Sequence, residues 1–320
     1  TTRLVGSEMC IRDSEYTYKK RTFTFDYENT TFDWDNMLDE YIHGEYTPEQ
    51  AQAVATLMHG VGVGLDMMYG TSASGAYSFS VARALIENFG FDNGAAYRKR
   101  EYYTDRQWND LVYDELSTGR PVLYCGVDPQ GGHAFVCDGY SENEYFHINW
   151  GWGGMSDGYY MLSALNPTQQ GIGGSLVGYG FNYYQDIVTG IRPPKEASPF
   201  FIPMYAMGEL HTTPYTDEES GESATLFYYE NEDSEGYVGY YSTMQMTLAF
   251  GLKAIDSAGA EKIVSLSEMI DIPRIEGTNL VGLSAIPYDC TATGLPEGRY
   301  RVYPVCVTKD GHAQNINTLP

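Results

Sequence analysis

A histidine, an asparagine and two tryptophans lie within one segment, GGHAFVCDGYSENEYFHINWGWGG at 131–154. His133 opens one strand-like run, and Asn149 and Trp150 close the next. An imidazole that takes and returns a proton must be held in one orientation, and a side-chain amide oxygen that accepts its other N–H does this. The spacing therefore predicts acid–base chemistry at His133, with Asn149 orienting the ring and Trp150 shielding the pair from water.

The two strand-like runs predict a hairpin around SENE at 141–144. Paired positions would then sum to about 283–285, which places His133 roughly opposite Asn149. An imidazolium in such a place can hold down the pKa of a nearby thiol and so stabilise a thiolate nucleophile. Gly131 and Gly132 let a substrate backbone approach beside the imidazole.

The motifs GGHAFVCDG, HINWGWGG and DGYYMLSALNP resemble the streptopain family of papain-like cysteine peptidases. The resemblance covers about residues 16–193, and its most specific part is the histidine–asparagine–tryptophan block. It implies peptide-bond hydrolysis through a thioester, with protein or peptide substrates. It also implies a secreted protein, extracellular or on the bacterial cell surface, and allows an inhibitory prosegment as a partner outside this chain. No metal or organic cofactor is implied.

Carried over by position, the resemblance makes His133 the general base and acid, Asn149 its orienting residue and Trp150 its shield. The backbone of Gly132 would bond the substrate, and Ser74 and Gly75 would line a substrate subsite. These two residues belong to LDMMYGTSASGAYS (65–78), which resembles the substrate-binding loop of the family. The glycine-rich stretch QQGIGGSLVGYG (169–180) resembles its mobile loop.

The nucleophilic cysteine of the family should lie about 130–150 residues before the histidine, at or before the start of this sequence. Residues 1–14, TTRLVGSEMCIRDS, resemble translated linker sequence, and EMCIRDS lacks the small-residue helix start that the family has around its cysteine. We therefore expect Cys10 not to be the nucleophile. The expectation is an N-terminally truncated copy that is inactive as it stands.

Other interpretations of these residues remain open. Cys125 could serve a self-sufficient enzyme, because a hairpin through DPQGG (128–132) would bring it near His133. His147 could pair with His133 on a metal, although no third ligand is apparent. From a different class, the chain could be a non-catalytic binding or adhesion protein on an inactive peptidase scaffold.

The elements that must position this segment predict an α+β fold. A strand or hairpin is predicted at 16–27, followed by three helices. The first helix begins with the capping box at Thr47 and has a predicted buried stripe of Val54, Leu57, Met58 and Val61. The other two helices span 78–88 and 104–117. Strands follow, completing a papain-like peptidase domain at 15–194 with a helical part and an antiparallel sheet. Short strands with turn signals at 195–320 predict an immunoglobulin-like β-sandwich module.

Composition excludes two classes of partner. The 320 residues carry 43 acidic against 19 basic side chains, for a net charge of −24. A nucleic-acid partner requires clustered Lys and Arg, and no such cluster occurs in the sequence. No apolar run reaches the roughly 18 residues that a membrane helix needs.

The five cysteines fit neither a zinc site nor a dense disulfide framework.

Overall fold

The computed structural model describes most of the chain after residue 13, and it forms two compact units. The first unit contains the residues up to Tyr97 together with Leu111–Ser198, and the second contains Arg98–Asp110 and the residues from Pro199 onward. Apart from Ser14, the linker-like segment 1–14 lies outside the described residues. These are 14–171, 173–174, 179–196, 198–202, 204–231, 234–235, 237–241, 245–272, 283–287, 289–292 and 294–318.

Three α-helices and eight strands run from Ser14 to Thr189 in the described residues. In chain order they are β1 (Ser14–Tyr18), β2 (Arg21–Phe25), α1 (Pro48–Gly64), α2 (Phe79–Glu87), β3 (Ala96–Lys99), α3 (Asp105–Ser117), β4 (Val122–Asp128), β5 (Gly131–Tyr140), β6 (Phe146–Asn149), β7 (Gly158–Tyr160) and β8 (Tyr183–Thr189). Short 3₁₀ helices occur at Trp34–Asn36 and Arg100–Tyr102. This mixture confirms the predicted α+β class.

The predicted helix starts at Thr47 and Thr104 are confirmed. The Thr47 hydroxyl accepts the Gln50 N–H, while the Gln50 side chain accepts the Thr47 N–H. Thr104 and Gln107 make the same reciprocal pair in front of α3. Each pair satisfies amide groups that the first turn of a helix leaves without a partner, which is why the sequence located both starts.

The predicted buried stripe of α1 is wrong at Met58, whose side chain is 67 % exposed. The buried positions are instead small, with Ala53, Gly60 and Val63 among them. A Cβ atom added to Gly60 would lie 3.1 Å from the Phe25 ring, so this face packs by close approach of the helix backbone to aromatic side chains. A glycine has no apolar side chain and therefore gives no signal in a hydrophobic pattern.

A six-stranded sheet carries the histidine segment. Its strand order is β3-β8-β4-β5-β6-β7, and the β4–β5–β6–β7 part is an antiparallel meander. Within it, Gly126 pairs with His133, and Val136 pairs with Asn149. The predicted hairpin of β5 and β6 is thus confirmed, with partner positions that sum to 285 up to a bulge after Cys137.

The described part of the second unit is built from strands beyond residue 203. These are β9 (Met204–Met207), β10 (Glu209–Thr216), β11 (Ser223–Asn231), β12 (Ser234–Glu235), β13 (Tyr237–Tyr241), β14 (Met246–Ile255), β15 (Glu261–Leu266), β16 (Ile270–Ile272), β17 (Leu283–Pro287), β18 (Asp289–Ala292), β19 (Arg301–Thr308), β20 (Ala313–Asn315) and β21 (Asn317–Thr318). They form three sheets. The first has the strand order β10-β11-β12, with β18 also paired to β11; the second has the order β17-β13-β9-β21. The third has the order β15-β14-β19-β20, with β16 also paired to β14.

One apolar core joins these three sheets. Met204 of β9, Tyr229 of β11 and Phe250 of β14 all belong to it, and each is at most 4 % exposed. The immunoglobulin-like topology of this module stays a prediction. In the part of the chain described here, no helix is long and apolar enough to cross a membrane.

Candidate active site

The candidate site lies on the face of the β4–β5–β6 sheet that is turned toward the core of the first unit. Along β5, His133, Phe135 and Cys137 point to this face, and the side chains of Phe135 and Cys137 are buried. The intervening Ala134, Val136 and Asp138 are exposed. His133 is half-buried because it sits near the start of the strand, where the cover of the core face ends.

Asn149 lies on the opposite face, because of the register between β5 and β6. The pairing of Val136 with Asn149 puts the asparagine among the exposed residues, whereas its neighbours Ile148 and Trp150 are fully buried. Placing His133 opposite Asn149 would require paired positions that sum to an even number, and the observed sum is odd. A one-residue difference in register moves a side chain to the other face of a strand.

The direct hydrogen bond predicted between Asn149 and His133 is therefore not formed, and that part of the prediction is corrected. Nε2 of His133 lies 2.8 Å from the backbone carbonyl oxygen of Trp150. The side-chain oxygen of Asn149 accepts the N–H of Gly151 at 2.9 Å, forming a turn at the end of β6. Because a carbonyl can only accept, Nε2 of His133 must carry the proton, which leaves Nδ1 of the neutral ring as the base.

Four aromatic rings surround the imidazole. Trp152 is the nearest, stacked with its ring centre 4.8 Å from that of His133 and 18° between the planes. The ring centres of Phe181, Phe135 and Trp150 lie 5.4, 6.0 and 6.4 Å away. Trp150 is fully buried beside the histidine, where the sequence predicted its shielding role, which stays a prediction.

Trp152 and Phe181 are the neighbours that sequence reasoning missed as site residues. From the sequence, Trp152 receives no role at the site, although it belongs to the same motif as Trp150. Phe181 lies far along the chain, after the glycine-rich stretch, and no local pattern connects it to His133. Phe135 could have been found, since it lies two residues along the same strand and so shares its face.

Two effects act in opposite directions on the pKa of His133. Burial among the rings lowers the pKa, because the charged imidazolium loses water. The hydrogen bond to the Trp150 carbonyl raises the pKa, and the net result is a value below the ordinary one. The imidazole is thus mainly neutral near pH 7 and ready to accept a proton at Nδ1.

The backbone at Gly173 closely approaches the imidazole. A Cβ atom at this position would lie 2.8 Å from Nδ1 of His133, and φ of Gly173 is +86°. Only glycine fits both the left-handed conformation and the space. Within the 169–180 stretch, Gly173 therefore reaches the Nδ1 side of the ring, whereas 172 and 175–178 lie outside the described residues.

The predicted substrate residues are all exposed. Gly132 lies one residue before the histidine on β5, and a Cβ atom there would lie 3.7 Å from the Val127 side chain and 3.9 Å from the Gly126 carbonyl oxygen, both ordinary contacts. Ser74 and Gly75 belong to a narrow loop that Met68 and Gly75 close with reciprocal backbone hydrogen bonds. Nothing lies within 4 Å of a Cβ atom at Gly75, so open space adjoins this backbone.

None of the three cysteines with described side chains is suited to nucleophilic attack. Cys125 pairs with Ala134, one register step from the Gly126–His133 pair, so it points to the face opposite the imidazole. Burial raises its pKa well above the ordinary value, and the neighbouring Asp186 raises it further. Burial also raises the pKa of Cys137 and Cys306 to about 12. The alternative that assigns catalysis to Cys125 is therefore wrong on geometry.

His147 and His133 also lie on opposite faces of the sheet. His147 pairs with Gly139 and directs Nδ1 to Asp138, with 2.5 Å between Nδ1 and the nearer carboxylate oxygen. The metal pair considered from the sequence is therefore not formed. Within the described residues, no group of three or more metal-ligating side chains occurs.

A family model described as the Peptidase C10 family matches residues 8–160. Streptopain from Streptococcus pyogenes serotype M28 is 44 % identical over 158 residues, which are 49 % of this chain and 39 % of streptopain. The thiol protease/hemagglutinin PrtT of Porphyromonas gingivalis is 40 % identical over 157 residues, 49 % of this chain and 18 % of that protein. The chain thus spans well under half the length of these relatives.

Among solved structures, the active wild-type interpain A cysteine protease of Prevotella intermedia is similar to this chain. The two sequences are 40 % identical, and the match covers 56 % of this chain and 74 % of interpain A, with a TM-score of 0.49.

Proposed function

Because the chain belongs to the Peptidase C10 family through residues 8–160, we propose that it is part of a cysteine endopeptidase in which His133 is the general base and acid. The observation that carries this proposal is the state of the imidazole. Its Nε2 is bound to the Trp150 carbonyl, which leaves Nδ1, next to the backbone of Gly173, as the proton acceptor.

In the proposed reaction, Nδ1 of His133 takes the proton from a cysteine thiol, and the resulting thiolate attacks the carbonyl carbon of the scissile peptide. The tetrahedral oxyanion collapses to a thioester, and the imidazolium gives its proton to the departing amine. Water, deprotonated at the same nitrogen, then hydrolyses the thioester and releases the acid product. The stacked rings of Trp152 and Trp150 keep water from the Nε2 hydrogen bond.

The sulfur nucleophile of this reaction, we propose, is none of the three cysteines whose side chains are described. Cys137 and Cys306 are held as thiols by burial, and Cys125 points away from the imidazole. A nucleophile needs a depressed pKa and a place within hydrogen-bond reach of its base. The described residues therefore supply the base and its surroundings, and as they stand they are not sufficient for hydrolysis.

Protein substrates fit the open surface around the strand start. The backbone of Gly132, which is exposed, would hydrogen-bond to an extended peptide next to the imidazole. The exposed loop at Ser74 and Gly75 is proposed as a subsite wall. Secretion to the exterior or cell surface, and an immunoglobulin-like accessory role for the second unit, belong to the same proposal and rest on the family resemblance and the strand-rich sequence.

The experiment compares the chain with a fusion that carries the part of streptopain preceding its matched region, joined in front of Tyr16. We expect the fusion to hydrolyse casein, iodoacetamide to abolish this hydrolysis, and H133A to reduce it by about 10⁴-fold or more. The chain alone should be inactive.

Hydrolysis by the fusion that survives H133A would overturn the function. A fusion that unfolds cooperatively on heating, yet does not hydrolyse casein under conditions in which streptopain does, would also overturn it. Casein hydrolysis by the chain alone would contradict only the assignment of the nucleophile.

A further inference from the structure

The backbone that holds His133 is itself held at two points by side chains. The N–H of Trp150 donates to the carboxylate of Asp157 at 2.9 Å, and the N–H of Gly151 donates to the amide oxygen of Asn149 at 2.9 Å. Between these two N–H groups lies the Trp150 carbonyl, which accepts from Nε2 of His133 at 2.8 Å. The same peptide group therefore binds the imidazole on one side and Asn149 on the other.

We propose that Asn149 and Asp157 are positioning residues that act on His133 through the Trp150–Gly151 peptide rather than by touching the ring. This inference rests on the proposed peptidase function, which gives His133 its task. Asn149 remains an orienting residue, but through one intervening peptide. Asp157 is an additional member that neither the sequence motif nor its spacing had singled out.

The physical basis is the polarisation of a peptide group. A peptide whose N–H is donated to a good acceptor has a more negative carbonyl oxygen, and chains of such bonds strengthen one another. The Trp150 carbonyl is therefore a stronger acceptor for Nε2 when Asn149 holds the Gly151 N–H. A tight turn also fixes where that oxygen points, since Gly151 has φ of +74°, a conformation that glycine adopts without strain.

Asp157 fixes the preceding peptide. Its carboxylate reaches back seven residues from the start of β7, so it ties the end of β6 to the loop that follows. The bond to a charged acceptor is stronger than one to a neutral acceptor. Without the Asp157 hydrogen bond, the Trp150 peptide could rotate about its flanking bonds, and the carbonyl oxygen would no longer point at Nε2 of the imidazole.

The electrostatic surroundings make His133 a suitable reporter. The rings packed against it belong to Phe135, Trp150, Trp152 and Phe181, none of which titrates. Asp128 at the end of β4 lies on the same sheet face, and its side chain accepts two N–H groups of the following turn. The Trp150 carbonyl is the contact that raises the pKa of His133, so weakening this contact should lower the pKa.

The test uses the 320-residue chain with ¹³C,¹⁵N-labelled histidine and measures the pKa and tautomer of His133 by NMR. We expect an Nε2–H tautomer in the neutral form. N149A and D157A should each lower the pKa of His133 by about half a pH unit, the order expected when a cooperative hydrogen bond is weakened. D157N should lower the pKa of His133 less than D157A does, because its amide oxygen can still accept the Trp150 N–H, although without the charge.

The control is D256A in the second unit. Asp256 also accepts backbone N–H groups in a turn, at Ala258 and Ala260, so this variant loses the same charge and the same kind of bond away from the site. It should leave the pKa of His133 unchanged. As a second readout, amide exchange of Gly151 should quicken in N149A and not in D256A.

The proposal would be overturned if N149A lowers the pKa of His133 while D157A leaves it unchanged. That result would favour a direct hydrogen bond from Asn149 to the ring. If D157A does not fold, an unchanged Gly151 exchange rate in N149A overturns the proposal equally. Since neither readout requires hydrolysis, failure here is separate from failure of the peptidase assay, which depends on the fusion and H133A.

Discussion

Native-state alkylation of the cysteines tests the account of the nucleophile without any assumption about substrates. Iodoacetamide reacts with thiolates, so the rate at each cysteine follows its pKa as well as its access. Burial raises the pKa of Cys137 from its ordinary value of 9.0 to about 12. At pH 8 this lowers the thiolate fraction by about 1,000-fold, before any loss of access is counted. Cys306 is fully buried as well and should behave in the same way.

The assay treats the folded chain at pH 8 with iodoacetamide, quenches samples over time, and quantifies modification at each cysteine by mass spectrometry. The same chain in guanidinium chloride supplies the unprotected rate for each peptide. We expect Cys137 and Cys306 to react at least about 1,000-fold more slowly in the folded chain. Cys125 should also be protected, because burial and Asp186 both raise its pKa.

Two outcomes would refute this reasoning. If Cys125 in the folded chain reacts within about tenfold of its unfolded rate, its thiol ionises and is accessible, and the conclusion that burial and Asp186 protect it is wrong. If Cys10, outside the described residues, reacts faster in the folded chain than in the unfolded one, it has an activated thiol, and the sequence argument that rejected it fails. Slow reaction at Cys137 alone would not decide between these, so all cysteines must be followed together.

Three further perturbations follow from particular contacts. G173A places a Cβ atom 2.8 Å from Nδ1 of the imidazole, whereas the Cβ atom of G154A, at the same φ of +86°, meets nothing within 4 Å. We therefore expect G173A, and not G154A, to lower casein hydrolysis by the fusion. The expected loss is about 100-fold, which is the effect of misplacing a reacting group by about 1 Å. D92A removes a fully buried carboxylate that Arg192 and other donors contact, so urea unfolding should show a loss of about 3–5 kcal/mol. M58K should change the free energy of unfolding by less than about 0.5 kcal/mol, because this side chain is 67 % exposed.

The Asp92 contribution also has a pH signature. Burial raises the pKa of Asp92, but the hydrogen bonds from Gly94, Ser198, Arg192 and Lys195 together lower it by more. The net pKa therefore lies below the ordinary value of 3.8. A carboxyl group with a depressed pKa in the folded state stabilises above its unfolded pKa and loses this effect as pH falls. The stability gap between the unsubstituted chain and D92A should therefore be constant above about pH 5 and shrink below pH 4.

Each of these expectations has a contrary result. Equal activity of G173A and G154A would mean that the close approach to Nδ1 is unimportant for catalysis. A D92A gap that does not change with pH would mean that the charge of this carboxylate contributes nothing to stability. A strongly destabilised M58K would restore the buried stripe that the sequence predicted for α1.

Local chemistry was the part of the fold that could be predicted from sequence. Thr47 and Thr104 mark helix starts because their side chains satisfy amides within three residues, and no distant group is needed. The buried face of α1 could not be predicted, since Gly60 contributes backbone rather than an apolar side chain to its contact with Phe25. The contact between Phe181 and His133 could not be predicted either, because only the tertiary fold brings these two residues together.

At the site, the sequence predicted which strands pair but not the parity of their register, and the parity decides the chemistry. With Val136 opposite Asn149, the side chain of the asparagine is on the solvent face while the imidazole is on the core face. No side-chain contact can then join them across the pleat, but a peptide group can, because its N–H and C=O point to opposite sides of the chain. The Trp150–Gly151 peptide has this geometry, with Asn149 at its N–H and His133 at its carbonyl. In the proposed reaction, a sulfur nucleophile would therefore approach from the Nδ1 side, since Nε2 is bound to the Trp150 carbonyl.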